Sequence, residues 1–390
     1  MKFELLIKYL NILVAIAFIS CSGQTRKLSD MKIEWNNLPD YPIEKGVSGH
    51  FAGIHNNVLI VAGGCNFPDT PVAEGGVKKF YDEIFVLDLQ NGGGWKNGFK
   101  LPYPVAYGVS VSTENGVICI GGQNADSCVT NVTLLEWNGE DIEQKELPAL
   151  PVTIDNAAAV QLGDYIYVTG GNVNGVASSN VYRLNINESN SLWEECVSFG
   201  DSKRVQPVVF ALHENVCIGG GFQPVMNGQE PVIPANLLKY NQQQKYWEEF
   251  AAFPKDESGT PYCFVGGNAV NINNENVLFM CGVNYTIFLP AIRRELLMQQ
   301  AVAAQNDSLI TDLKQRAKEY LTQTVDWYKF NKTLLLWNAK ENNFTDLGQY
   351  PQLARAGTAV VYHDRKVYVV CGELKPGIRT SEVNCMTINN

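Results

Sequence analysis

Pairs of small residues recur at the ends of apolar runs along this chain, and no other feature narrows its fold as much. They stand at Gly63-Gly64, Gly121-Gly122, Gly170-Gly171, Gly219-Gly220, Cys281-Gly282 and Cys371-Gly372. Each closes a run such as NVLIVA, VICI, YIYVT, VCI, VLFM or VYVV, whose β-branched and aromatic residues favour extended backbone. Ahead of each run lie another apolar stretch and a tight polar turn, for example His55-Asn56-Asn57, Glu114-Asn115-Gly116 or His363-Asp364-Arg365. Each unit therefore opens as a hairpin.

A third strand follows each pair, in IFVLDL, TLLEWN, VYRLN, LLKYN, TLLLWN and VNCMTIN. A fourth comes next, marked by Trp95, Ile142, Trp193, Trp247 or Phe344, and Pro-containing connectors such as Leu101-Pro102 and Leu147-Pro148 lead onward. Four antiparallel strands repeating at roughly 50 residues predict an all-β propeller of six blades. Trp35 with Leu38-Pro39 reads as a fourth strand with nothing before it, and the last unit stops after its third strand. Joining the two completes the sixth blade and leaves no open sheet edge. The chain of 390 residues, 45% hydrophobic, thus reads as one propeller domain over residues 31–390, where length alone would predict two or three domains.

Phe288 to Gln323 departs from this pattern. It is rich in helix formers and is predicted to be two helices split at Asn306-Asp307-Ser308, with Asp307 or Ser308 as the cap. This insert, residues 288–323, falls between the second and third strands of blade five. It is either decoration or a lid that excludes water.

Residues 1–21 read as a targeting segment: Lys2 and Lys8 precede an apolar stretch that ends at Ser20-Cys21. Phe18-Ile19-Ser20-Cys21 resembles a bacterial lipoprotein signal, which makes Cys21 the lipidated first residue. Residues 22–30 become a polar tether, and the protein a periplasmic or membrane-anchored lipoprotein of a Gram-negative bacterium. The membrane is then a partner only through that lipid. Four of the other cysteines, Cys119, Cys217, Cys281 and Cys371, repeat one strand-end context and read as small buried side chains. The net charge of −10 argues against a nucleic-acid partner.

The doublets and connectors resemble kelch repeats. GELKPGIRT, which begins at Gly372, resembles the GEAKPGLRT signature of the sialic acid mutarotases (N-acetylneuraminate epimerases). CGVNYTIF and DWYKFNKTLLLWN resemble the corresponding region of that family. The resemblance implies a six-bladed kelch-type propeller acting on N-acetylneuraminate without a cofactor, with Glu373 and Arg379 as the proposed catalytic pair. The signature lies in the last blade, as though the repeats were cyclically permuted.

The residues fit such chemistry. Mutarotation takes a proton from the anomeric hydroxyl and delivers one to the ring oxygen, so it needs an acid/base group. Glu373 serves as that group and Arg379 as a two-pronged clamp for the sugar carboxylate. Enclosure and a neighbouring guanidinium act on such a carboxyl in opposite senses. Asn66, Asn124, Asn172 and Asn284 occupy similar positions after the doublets. Asn66 and Asn284 are the preferred contacts for sugar hydroxyls, against a plain turn role. Arg355, in the connector entering blade six, either faces the channel as a second cation or ties blades together. His55, His213 and His363 fall in separate hairpin turns, so no metal site is expected; His50, in the first strand of blade one, is either structural or approaches the channel.

The leading reading is an isomerase that interconverts the anomers of sialic acid. The alternative is a non-catalytic kelch scaffold that binds a protein or a glycan. A sialidase lacks its S-x-D-x-G-x-T-W boxes here, and a copper oxidase its convergent His and Tyr ligands.

Overall fold

In a computed structural model that describes residues 31–389, the chain is mostly β, and its small antiparallel sheets have the arrangement of an all-β propeller. Six of the sheets have four strands each among the described residues. The first is built from Phe51–His55, Val58–Ala62, Glu83–Asp88 and Lys96–Lys100; the second from Val109–Thr113, Gly116–Ile120, Val132–Trp137 and Ile142–Leu147. The next three begin at Ala158–Leu162, Val205–Leu212 and Asn268–Asn271. The sixth joins Ala359–His363, Lys366–Val370 and Val383–Asn389 to Lys32–Asn37 from the other end of the chain, with Lys32 opposite Asn389 and Trp35 opposite Met386.

Period-two alternation explains how the sheets stack. In the second sheet Val117 and Cys119 pack toward the first, while Ile118 and Ile120 pack toward the third. Successive side chains of a strand point to opposite faces, so one apolar run feeds two cores. The same device repeats between every adjacent pair of sheets. It ends where Ile54, Leu59 and Val61 of the first meet Tyr368, Val370 and Val383 of the sixth. The first strand of each sheet lies innermost, against the first strands of both neighbours.

The small-residue doublets terminate the second strands in left-handed backbone, as at Gly121 (φ +60°) and Gly122 (φ +104°). In the fourth sheet the left-handed pair is Gly220 and Gly221 (φ +56° and +69°), one residue beyond the pair expected from sequence, because the strand there runs on through Asn215–Phe222. Cys281 and Cys371 adopt the same turn at φ +63° and +50°, a region that costs a residue with a Cβ. Both are free thiols, and burial pushes each up to about 12.

Two helices interrupt the fifth sheet between its second strand, Asn276–Met280, and its third, Thr333–Asn338. Helix α1 spans Tyr285–Ala303 and helix α2 spans Asp307–Thr322, so the helical segment starts three residues earlier than expected. The cap between them is Asn306, whose side chain accepts from the Leu309 amide, in place of Asp307 or Ser308. Phe288 and Ile292 of α1 and Tyr320 of α2 pack on Val265, Val283 and Phe330. Helix α2 also meets the short turn Val72–Glu74 from the first sheet. The targeting segment 1–21, the tether and Cys21 lie outside the described residues.

Candidate active site

Glu373–Lys375 and Ile378–Arg379 form a two-stranded hairpin of their own, in which Glu373 is the register partner of Arg379. Pro376 and Gly377 make the turn. The hairpin is pinned to the connector before the sixth sheet: the Glu373 amide donates to the Ala356 carbonyl at 2.7 Å, and the Ala356 amide donates back at 2.9 Å. Cross-strand partners project on the same face, so the acid and the guanidinium arrive together. Nη2 of Arg379 lies 3.1 Å from Oε1 of Glu373, and the same oxygen accepts from the Gly377 amide at 3.0 Å.

Arg379 is held from several sides. Its Nε donates to Oγ of Ser48 at 3.0 Å, and its guanidinium carbon stands 5.1 Å from the centre of the Phe67 ring. Its Nη1 is buried and has no partner among the described residues. A fixed, desolvated N–H group without an acceptor is a ready seat for an anion's oxygen. The Arg379 side chain is 4% exposed while that of Glu373 is 27% exposed, so the carboxylate is the more accessible of the two.

Both side chains line a cavity of about 550 Å³ at the centre of the ring of sheets. A closed circle of backbone hydrogen bonds runs around it. The amide of Tyr107 donates to Gly49, Asn156 to Tyr107, Gln206 to Asn156, Gly266 to Gln206, Gly357 to Gly266, and Gly49 to Gly357, at 2.6 to 3.3 Å. All six residues are left-handed, with φ between +50° and +65°. Three of them are glycines, and these adjoin one another on the side that carries the Glu373 hairpin. The other three place Tyr107, Asn156 and Gln206 in the cavity wall. Phe288, Ile292 and Tyr320 line the cavity from the two helices. Burial pushes the Tyr320 hydroxyl up to about 12, so it keeps its proton at neutral pH.

A family model described as N-acetylneuraminate epimerase matches residues 19–143 and 147–390. The chain belongs to that family. N-acetylneuraminate epimerases from Salmonella paratyphi B and Haemophilus influenzae are each 27% identical to it, over 239 and 237 residues, or 61% of this chain. One from Salmonella typhi is 26% identical over 239 residues. The chain spans 57% of the length of the first of these relatives and 58% of the second.

For this member of the N-acetylneuraminate epimerase family, the three expected substrate contacts, Asn66, Asn284 and Arg355, each have partners within the protein. Asn66 is buried, donates to the Gly46 carbonyl at 2.7 Å and accepts from the Tyr81 hydroxyl at 2.8 Å. Its amide ties two loops together and does not line the central cavity. Asn284 is the N-cap of α1: its side-chain oxygen takes the Ile287 amide and the Thr286 hydroxyl. It lines a separate cleft beside Lys329 and Asn331.

Arg355 is 2% exposed and turned into the sixth sheet. There it donates to the carbonyls of Cys371 and Glu382, the Glu382 carboxylate and the Asn384 side chain. Arg204 does the same in the fourth sheet, to Gly220 and Asn236. The repetition marks a fold device: each arginine ties the start of its sheet to that sheet's own later strands. The cavity takes its polar wall instead from Tyr107, Asn156 and Gln206. His50 lines the cavity, and burial outweighs the nearby Val370 backbone to push the imidazole down to about 4.

Proposed function

We propose that this protein interconverts the α and β anomers of N-acetylneuraminate by acid/base ring opening, as an isomerase acting on a small sugar acid. One observation carries the reading: a carboxylate and a buried, incompletely paired guanidinium face each other across a hairpin in the wall of the central cavity. Family membership and the names of the relatives support the choice of sugar. The Arg379 guanidinium takes the C1 carboxylate and sets the anomeric carbon beside Glu373. The carboxylate of Glu373 removes the anomeric hydroxyl proton, the bond to the ring oxygen breaks, and the keto form recloses on its other face. No cofactor is needed, since no electrons leave the sugar.

The finer architecture belongs to the same proposal. Residues 31–390 constitute a six-bladed kelch-type propeller with the helical insert in blade five, and that insert serves as a lid. Residues 1–21 are a lipoprotein signal, with Cys21 lipidated and residues 22–30 as tether, so that the propeller works in the periplasm or on a membrane facing it.

The test is NMR of freshly released α-N-acetylneuraminate with and without protein. Faster appearance of the β anomer that is lost in Glu373→Ala supports the proposal. Wild-type protein that leaves the spontaneous rate unchanged overturns it.

A further inference from the structure

We propose that Tyr107 is a second catalytic residue, whose hydroxyl donates a proton to the ring oxygen of the sugar as Glu373 takes the proton of the anomeric hydroxyl. The inference rests on the mutarotase reading above and adds to it the acid that ring opening requires.

Three observations carry it. First, Tyr107 belongs to the circle of left-handed residues at φ +62°, where a bulky aromatic is costly and glycine serves elsewhere in the same circle. The strain holds its ring in the wall of the cavity that contains Glu373 and Arg379.

Second, its hydroxyl oxygen already receives two donors: Nζ of Lys78 at 2.9 Å and Sγ of Cys65 at 3.1 Å. Its own proton has no oxygen or nitrogen acceptor among the described residues, and a thiol sulfur is a weak one. An oxygen substituent of a ligand within reach would be a stronger acceptor than that sulfur.

Third, Tyr107 is joined to the acid/base pair through one short segment. Arg379 donates to the Ser48 hydroxyl, and Cys65, which touches Tyr107, also approaches the Ser48 carbonyl at 3.7 Å. Burial raises the phenol further above neutrality, which keeps the donor protonated.

The step balances. Glu373 gains the anomeric hydroxyl proton, the anomeric carbon becomes a ketone, and its bond to the ring oxygen breaks. The ring oxygen takes the Tyr107 proton and becomes a hydroxyl. The phenolate is held by the Lys78 ammonium, 4.8 Å from the ring centre and hydrogen-bonded to the oxygen. After rotation about the neighbouring carbon–carbon bond, that hydroxyl attacks the other face of the ketone. Tyr107 regains its proton from the attacking oxygen, and Glu373 returns one to the ketone oxygen.

The test compares wild type, Tyr107→Phe, Lys78→Met, the double variant and Glu373→Gln in the α-N-acetylneuraminate NMR assay. Phenylalanine keeps the ring and its edge-on contact with Phe80, and thermal melting checks the fold of each variant. Tyr107→Phe is expected to lower kcat about 10- to 100-fold with KM within about threefold. Lys78→Met is expected to lower kcat less, and to add nothing in the Tyr107→Phe background. In mixed H₂O and D₂O the wild-type rate is expected to curve with deuterium content, as two protons require, and the Tyr107→Phe rate to fall linearly. A kcat within about twofold of wild type in Tyr107→Phe, or a change in KM alone, overturns the inference while leaving the role of Glu373 intact. Wild-type protein without activity overturns the functional reading and this inference together.

Discussion

Arg379 and the Gly377 amide both bind the same oxygen of Glu373, Oε1, so the other oxygen, Oε2, has no protein donor among the described residues. One half of the carboxylate is thus fixed in place and the other half is free to act as a base. Replacing Glu373 with Gln preserves shape and removes basicity. The expected result is a fall in kcat of about 10²- to 10⁴-fold with an unchanged melting temperature, read by NMR of the anomers and by thermal denaturation.

Arg379→Lys keeps the charge and loses the fork. Lysine cannot reach Ser48, Glu373 and a ligand at once, because it presents a single point of donation. KM for the sugar is expected to rise about tenfold or more, with kcat reduced less than in Glu373→Gln. Steady-state kinetics over a wide sugar range separate the two effects.

Arg355→Ala is predicted to be a stability variant. Its removal leaves the Cys371 carbonyl and the Asn384 side chain buried without their donor. A loss of about 2–4 kcal/mol is expected in urea denaturation, with kcat preserved under folding conditions. Glu382→Ala, at the exposed end of the same pair, is expected to cost under about 1 kcal/mol.

The circle of backbone bonds predicts a contrast between two of its glycines. A Cβ at Gly49 would sit 2.7 Å from Cδ1 and 2.9 Å from the amide nitrogen of Tyr107, whereas at Gly357 the nearest atom is Ser48 Cβ at 3.6 Å. Gly357→Ala should pay only the left-handed cost of about 1–2 kcal/mol. Gly49→Ala should cost more than that and displace Tyr107. Denaturant melts of the two variants check the order.

His50 gives a pH signature. Its imidazole is pushed down to about 4 in the folded protein from an ordinary 6.5, so the unfolded chain binds its proton more readily. The contribution is fully present above pH 6.5 and is lost as pH falls toward 4, with a total of about 3 kcal/mol. His50→Phe should flatten the decline in stability over that window relative to wild type, measured by urea titration at several pH values.

The sheets and the hairpin of Glu373 and Arg379 are legible in the sequence because local rules govern them. Apolar alternation, turn residues and a fixed interval each act within one unit. The roles of Asn66, Asn284 and Arg355 are not legible, because position after a doublet or in a connector does not say which neighbour saturates the side chain. Tyr81, the first turn of α1 and the Cys371 carbonyl decide those cases. Tyr107, Asn156 and Gln206 carry no motif, since their common property is a left-handed backbone. The signal that finds them is positional: five of the six residues in the circle stand two places before an innermost strand, and Gln206 falls where the pairing of its strand skips a residue.

Lys32–Asn37 is the outermost strand of the sixth sheet, on the far side from Ala359–His363, which borders the cavity. Lys32 itself therefore stands on the perimeter. A bead, a fusion partner or a surface fastened at that end would hold the molecule by its rim, on the far side of the sheet from the strand that borders the cavity.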